Sequence, residues 1–271
     1  MGNDMKNAVL NRFTGRHIVV SGAGTGIGRA IAERLWAEGA ALTLLARDAS
    51  RLEETALACQ AQRMGDGSEL GYASCDVRER EALDTVLATA AAERGELHAF
   101  VANAGVGGSN GDGPDDRFDE LVSVNLTGTY NSFRAAQKHL ANAKYGARHL
   151  LAISSILARI GVPGYTGYCA SKTGILGLVR ALAAELAAEE IQVNAICPGW
   201  VDTSMARDGI DGMAQGMGIT PEEAYKLAMQ AVPLGRMSEV DDIAGMVAWL
   251  ISPDARGVTG QSLDMNGGAW M

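Results

Sequence analysis

Tyr168 and Lys172 stand four residues apart in the run YCASK, a spacing that sets both side chains on one face of a helix. An ammonium beside a phenol favours the phenolate. It draws tyrosine down from its ordinary pKa of about 10 and makes it a usable proton donor or acceptor near neutrality. The same pair, taken alone, reads more readily as a surface contact. Ser155, in the run ISS, offers a hydroxyl that can bond an oxygen as it gains charge. Far upstream, SGAGTGIGRA places Gly22, Gly24, Gly26 and Gly28 where a helix must begin. Glycine is costly to order. Its concentration there suits a backbone lying against a phosphate, which the unpaired N–H groups and positive dipole end of a helix favour. The alternative is a flexible turn with no duty.

Those residues need a frame. Short apolar or β-rich runs at 17–21, 41–46, 70–75, 98–103, 149–154, 191–196 and 261–265 read as strands. Several are almost continuously apolar, as parallel strands buried on both faces should be. Amphipathic segments at 28–38, 49–63, 78–94, 115–143, 168–189 and 239–251 lie between them. The alternation predicts right-handed βαβ units: an α/β fold, a Rossmann-type doubly wound parallel sheet of about seven strands with helices on both faces, in one domain over 1–271. Residues 203–236 carry five glycines and a further helical pattern, and read as an irregular lid outside the core. The glycine turn joins the first strand to the first helix, while Ser155 and Tyr168 fall at the carboxyl edge of the sheet, where open α/β sheets bind ligands. In that setting the nucleotide reading of the turn gains over the flexible one.

Composition narrows the classes. With 47% hydrophobic and 20% charged residues over 271 positions, the chain can bury a full core. A formal charge of −9 disfavours nucleic acid and anionic membrane as partners. The four cysteines form no CxxC pair and read as reduced thiols of a cytoplasmic protein. The histidines show no ligand spacing, so no metal site is expected. Residues 1–10 lack a signal-peptide core, and Lys6 stands where a myristoylation motif needs Ser or Thr. No apolar run is long enough to span a bilayer.

The glycine spacing GxxxGxG, formed by Gly22, Gly26 and Gly28, resembles that of the short-chain dehydrogenase/reductase family. So do ANAG (102–105), VNLTG (124–128), ISS (153–155), YCASK (168–172), PGWVDT (198–203) and TGQSLDMNGG (259–268), in that order. The resemblance runs over roughly 14–268. Ser21 replaces the family's usual Thr, and Ala102 the first Asn of NNAG. The resemblance implies a tetrad. Tyr168 would exchange the proton with the substrate oxygen, and Ser155 would hydrogen-bond it. Lys172 would hold the nicotinamide ribose and tune Tyr168, and Asn125 would position a relay water. Ser154 is the rival to Ser155; strand alternation sends the two to opposite faces, and the interval to Tyr168 favours Ser155. Gly22, Gly26, Ile27 and Gly28 would cradle the pyrophosphate, Asp76 and Val77 the adenine, Asn103 and Gly105 the ribose. Val201 and Thr203 would meet the carboxamide and phosphates. Tyr165 faces either the substrate or the packing.

The end of the second strand reads LLARD. Arg47 there can grip the 2′-phosphate of NADP through charge-assisted bonds. A slip of one residue would instead turn Asp48 to the ribose of NAD. NADP is the favoured cofactor, with NAD possible. The expected activity is hydride transfer between the nicotinamide and a ketone or secondary alcohol, in particular a 3-oxoacyl thioester or polyketide-like ketone. Two alternatives stand beside it: an NAD-dependent catabolic dehydrogenase of a hydroxyacyl-CoA, cyclic or aromatic alcohol, and a catalytically silent partner subunit. The resemblance also implies a homo-oligomer, dimer or tetramer, and Met205, Met213 and Met217 are expected to line the lid with adaptable apolar surface.

Overall fold

A computed structural model describes residues 11–62, 69–111 and 113–271. The readings placed on residues 1–10, and the last residue of the helix expected over 49–63, lie outside them. Seven parallel strands form one sheet: β1 (His17–Ser21), β2 (Ala41–Ala46), β3 (Leu70–Ser74), β4 (Leu97–Ala102), β5 (Arg148–Ile153), β6 (Ile191–Pro198) and β7 (Ser262–Met265). Their order is β3-β2-β1-β4-β5-β6-β7. The chain therefore winds one way from β1 to β3, then crosses back beside β1 with β4. Loops on the two sides of that junction diverge and leave a crevice at the carboxyl edge.

The apolar strands bury both faces. On one face lie α1 (Gly26–Ala37), α2 (Ala49–Gln62) and α8 (Val240–Leu250), packing Ile31, Leu35, Trp36, Leu52, Ile243 and Val247 against the sheet. On the other lie α3 (Arg80–Arg94), α4 (residues 118–137) and α5 (Thr166–Leu186), contributing Leu83, Leu87, Phe133, Ile175, Val179 and Leu182. Helix α4 is not a plain α-helix. Its middle turn, Ser123–Thr127, is a π-turn between α-helical segments Phe118–Val122 and Gly128–Gln137. It also ends before the expected 143. Beyond Lys138 the backbone is drawn to the start of β4, where Leu97 N–H donates to His139 O and Ala141 N–H to Leu97 O, each at 2.8 Å.

The lid differs from the irregular stretch expected. Residues 203–236 hold two helices, α6 (Ser204–Met217) and α7 (Pro221–Gln230). Three glycines do not prevent α6, because Ala206, Ile210 and Ala214 recur at four-residue spacing and bury together with Ala224, Ala228 and Met229 of α7. Thr203 caps α6 by accepting the Ala206 N–H, Gly218 ends it at φ 67°, and Thr220 and Glu223 form a reciprocal capping box on α7. Only Met205 of the three methionines is seen to meet the active-site side. Its Sδ lies against Gly107, whereas Met213 packs into the lid's own core and Met217 is exposed at the end of α6.

Gly28, in the first turn of α1, has no room for a side chain. A Cβ there would fall inside the van der Waals shells of the Gly22 carbonyl oxygen and Asn103 Nδ2. Gly28→Ala is expected to lower unfolding stability by about 1–3 kcal/mol, the usual cost of overpacking a tight site, and to weaken dinucleotide binding at the same time. Denaturant unfolding and a binding titration check both; an unchanged midpoint would be the contrary result.

Candidate active site

The site is assembled where β1 and β4 part. Ser21 Oγ accepts the N–H groups of Asn103 at 3.1 Å and Ala104 at 3.2 Å, and donates to Val101 O at 3.4 Å. In return Asn103 Nδ2 donates to the carbonyls of Ser21 and Gly22, at 3.2 and 3.1 Å. The serine that replaces the expected threonine thus does the joining, and Asn103 Nδ2 is engaged by the glycine turn itself. Gly22 and Gly26 adopt φ values of 65° and 53°, a region that suits glycine. The Thr25 side chain makes no cap on α1, which leaves the start of that helix to a ligand. Across from it, a Cβ on Gly26 would sit 3.3 Å from Thr203 Cγ2. Gly22, Gly26, Ile27, Gly28 and Thr203 therefore gather around the uncapped start of α1, a cradle whose free N–H groups suit a phosphate. Val201 is buried just behind it, in an isolated bridge to Ser238.

At the end of β2 the two rival residues have separate tasks. Asp48 accepts from Ser50 Oγ at 2.7 Å, Ser50 N at 3.0 Å and Arg51 N at 3.3 Å, starting α2. The Ser50 hydroxyl first, and the backbone N–H groups with it, hold this carboxyl below the usual range. Arg47 is exposed, and among the described residues no carboxylate forms an ion pair with it. Asp76 is gripped by Arg78 through Nη2 at 2.6 Å, a bond that keeps its carboxyl low. Val77 is wedged against Gly128 of α4, and the carbonyls of Val77 and Arg78 each accept from Asn131 Nδ2 at 3.3 Å. Asn131 was not singled out in the sequence. A lone asparagine within an amphipathic helix carries no signal of the loop it will hold.

Beside the cradle, at the ends of β4 and β5, stand the groups that could move a proton. Ser155 is extended, and its Oγ accepts the Leu157 N–H at 3.1 Å. The half-buried Tyr168, in the first turn of α5, lies close enough to the Ser155 hydroxyl for that group to act on the phenol's proton affinity. The two adjacent serines divide as strand alternation requires: Ser154 Oγ turns the other way and donates to Lys172 O at 2.9 Å. Lys172 is buried, 6% exposed, with Nζ donating to Ile153 O at 2.9 Å and lying 5.6 Å from the Tyr168 ring centre. Burial pulls its pKa down to about 8. The tyrosine departs from expectation. Desolvation pushes its pKa above the ordinary value, only partly opposed by the Ser155 hydroxyl, because the ammonium is turned to the Ile153 carbonyl instead of the phenol oxygen. Gly105 closes the group; a Cβ there would lie 3.1 Å from Asn125 Oδ1 and 3.5 Å from Lys172 Nζ.

Asn125 sits in the π-turn with no exposed surface, and its side chain makes three hydrogen bonds. Oδ1 accepts Val106 N–H at 2.9 Å, while Nδ2 donates to Val106 O at 3.0 Å and Ser171 Oγ at 3.1 Å. Its own carbonyl accepts from Thr129 Oγ1 at 2.7 Å. Both Nδ2 hydrogens are thus committed, and of the side chain only Oδ1 keeps acceptor capacity for the relay water expected there. Asn110 was also missed; its Oδ1 accepts the Gly167 N–H at 2.9 Å and caps α5 from the loop after β4. Tyr165 is half-buried near the Tyr168 ring. Among the described residues no cluster of His, Cys, Asp or Glu could hold a metal, and no helix is long and apolar enough to cross a membrane.

A doubly wound parallel sheet with this phosphate cradle at its switch point, and a Ser–Tyr–Lys group opening onto the same crevice, defines a dinucleotide-dependent oxidoreductase. The comparisons agree. A family model described as enoyl-(acyl carrier protein) reductase matches residues 22–269. A protein of the granaticin polyketide synthase of Streptomyces violaceoruber, assigned as a ketoacyl reductase, is 36% identical over 92% of this chain and 91% of its own. The 3-oxoacyl-[acyl-carrier-protein] reductase of Haemophilus influenzae is 32% identical over 95% and 99%. Among solved structures, a variant of actinorhodin polyketide ketoreductase with NADPH superposes with a TM-score of 0.88 at 33% identity, covering 95% of this chain and 98% of that one. The chain belongs to the short-chain dehydrogenase/reductase family.

The buried ammonium has a measurable consequence. Lys172→Met is expected to stabilise the cofactor-free protein at pH 7 by as much as about 3 kcal/mol, which is what moving a pKa from 10.5 to about 8 is worth; the bond lost at Ile153 O offsets part of this. The penalty is complete below about pH 8, where the lysine is charged in both the folded and unfolded chain. It fades as pH rises towards 10.5, because there the folded chain has already released the proton that the unfolded chain still binds. Unfolding midpoints of wild type and variant should therefore differ at pH 7 and converge near pH 10.5. A gap independent of pH would be the contrary result.

Proposed function

We propose that this oxidoreductase is an NADPH-dependent ketoreductase of 3-oxoacyl thioesters or polyketide-like ketones. The observation that carries the reading is the convergence of Ser155, Tyr168 and the buried Lys172, with Lys172 Nζ 5.6 Å from the Tyr168 ring centre, beside the phosphate cradle. The glycines that leave no room for a Cβ and the uncapped start of α1 fit a dinucleotide. Gly22, Gly26, Ile27, Gly28 and Thr203 would hold its pyrophosphate, Asp76 and Val77 its adenine side, with Asn103, Gly105 and Val201 shaping the path between. When bound, the nicotinamide supplies the hydride. Tyr168 gives its hydroxyl proton to the substrate carbonyl oxygen, and Ser155 donates to the same oxygen as charge builds there. A tyrosine held protonated suits the reductive direction, since the acid must be loaded before the carbonyl arrives. Lys172 presents a charge to the ribose from a dry position, and Asn125 braces the loop that carries Gly105.

The same reading includes a dimer or tetramer built on the outer faces of α4 and α5, where Tyr130 lies exposed, and a cytoplasmic setting consistent with four unpaired cysteines. The similar proteins named for ketoacyl reduction support the substrate class, and the adaptable Met205 over Gly107 supports an apolar chain beside the reacting carbon.

Tyr168→Phe is expected to lower kcat by at least about a hundredfold, the lower range for a general acid, with cofactor affinity little changed. Turnover of 3-oxoacyl thioesters and cyclic ketones, followed by NADPH absorbance, checks this; near-wild-type turnover would remove Tyr168 from the chemistry.

NADP(H) is expected to bind more tightly than NAD(H), because Arg47 is free to meet a 2′-phosphate while Asp48 is committed to α2. Arg47→Ala should weaken NADP(H) alone, by about ten- to a hundredfold for one charge-assisted bond. Dissociation constants for both cofactors decide it, and a wild-type preference for NAD would overturn the assignment.

A further inference from the structure

Ser171 lies between the two reacting residues in sequence, has no exposed surface, and takes no part in the proton transfer just described. Its hydroxyl donates to the main-chain carbonyl of Tyr168 at 2.9 Å and accepts from Asn125 Nδ2 at 3.1 Å. The other N–H of that amide donates to Val106 O, and Oδ1 accepts the Val106 N–H. A continuous chain of buried bonds thus runs from the loop after β4, through the π-turn of α4, to the backbone that carries the tyrosine. We propose that Ser171 is a positioning residue for Tyr168: it locks the tyrosine backbone to the Val106 loop and so fixes where the phenol hydroxyl stands relative to Ser155. The inference rests on the ketoreductase reading above.

The physical case is one of leverage. The phenol hydroxyl is the far end of a long, rigid side chain, so a small rotation at the Tyr168 Cα sweeps it well away from Ser155. A misplacement of about 1 Å at a reacting centre is worth about a hundredfold in rate. A serine inside a helix that bonds back to a carbonyl a turn earlier also bends the helix locally. The Tyr168 turn therefore holds a shape that an alanine would relax, with one Asn125 N–H left unpaired. Lys172 is held separately, its carbonyl by Ser154 Oγ and its Nζ by Ile153 O. Losing the Ser171 hydroxyl should thus displace the tyrosine and leave the lysine in place. The signature is a fall in kcat without loss of cofactor binding.

The test compares the full-length wild type, Ser171→Ala and Ser171→Thr, with NADPH and a short 3-oxoacyl thioester. The expected result is at least a tenfold fall in kcat for Ser171→Ala, NADPH dissociation constants within twofold of wild type, and substantial recovery of kcat in Ser171→Thr, which keeps the hydroxyl. Should the alanine variant lose its fold, the threonine variant and Ser171→Cys, a weaker donor, still report: kcat should rank wild type, then Thr, then Cys. Turnover by Ser171→Ala within twofold of wild type overturns the proposal. So does a parallel loss of kcat and NADPH affinity, which marks general loosening, or a threonine variant no better than alanine or cysteine. A wild type that reduces no ketone with either cofactor overturns the ketoreductase reading and the proposal with it. An active wild type with an equally active alanine variant overturns the proposal alone.

Discussion

The junction of β1 and β4 is held by two side chains, and most of the active site hangs from it. Ser21 takes the N–H groups of Asn103 and Ala104, while Asn103 takes the carbonyls of Ser21 and Gly22. Both strands end here and their chains turn opposite ways, so these backbone groups have no ladder partner. Buried backbone groups must find partners, and this exchange supplies them. It also fixes the curvature of the glycine turn on one side and the path of 103–107 on the other. Gly28 must be bare because Asn103 and Gly22 O press against it, and Gly105 has little room because Asn125 and Lys172 stand over it. One polar exchange thus sets the cofactor's floor and the position of the catalytic group together.

A second layer of constraint comes from the helices on the α4–α5 face. The reacting residues occupy the first turns of α5, which would be the least ordered part of an isolated helix. Here that end is fastened by Asn110 at Gly167, Ser171 at Tyr168 and Ser154 at Lys172. None of these side chains reaches a substrate position by itself. Together they tie the first turns of the helix to the end of β5 and to the loop after β4, the kind of anchoring that preorganised donors require.

Much of this was legible in the residues. The strands showed themselves because a parallel strand covered on both faces is almost continuously apolar, as VV, LTLL and AFVA are, with Thr43 the one polar residue among them. The glycine turn and the YCASK spacing were legible because each is local, a few residues whose geometry is decided among themselves. What escaped reading was decided at a distance. Whether Lys172 lowers the tyrosine pKa depends on where Nζ turns, and it turns to a carbonyl of β5 that no local pattern names. Helix α6 escaped because glycine counts heavily against a helix in isolation, whereas Ile210 and Ala214 gain their burial from α7, a partner absent from any local window. Asn131 and Ser171 look like ordinary polar residues until the loops they hold are in view.

Helix α4 touches both ends of the cofactor crevice. Asn125 braces the loop beside the catalytic group, and Asn131 grips the loop that carries Asp76. Six residues separate them, about 9 Å along a helix at 1.5 Å per residue. The π-turn at Ser123–Thr127 lies at one end of that interval, widening the coil locally and setting the rotation of one asparagine against the other. The helix serves as a ruler. It holds the loop of Val106 and the loop of Val77 and Arg78 at a separation set by the helix and not by the sheet.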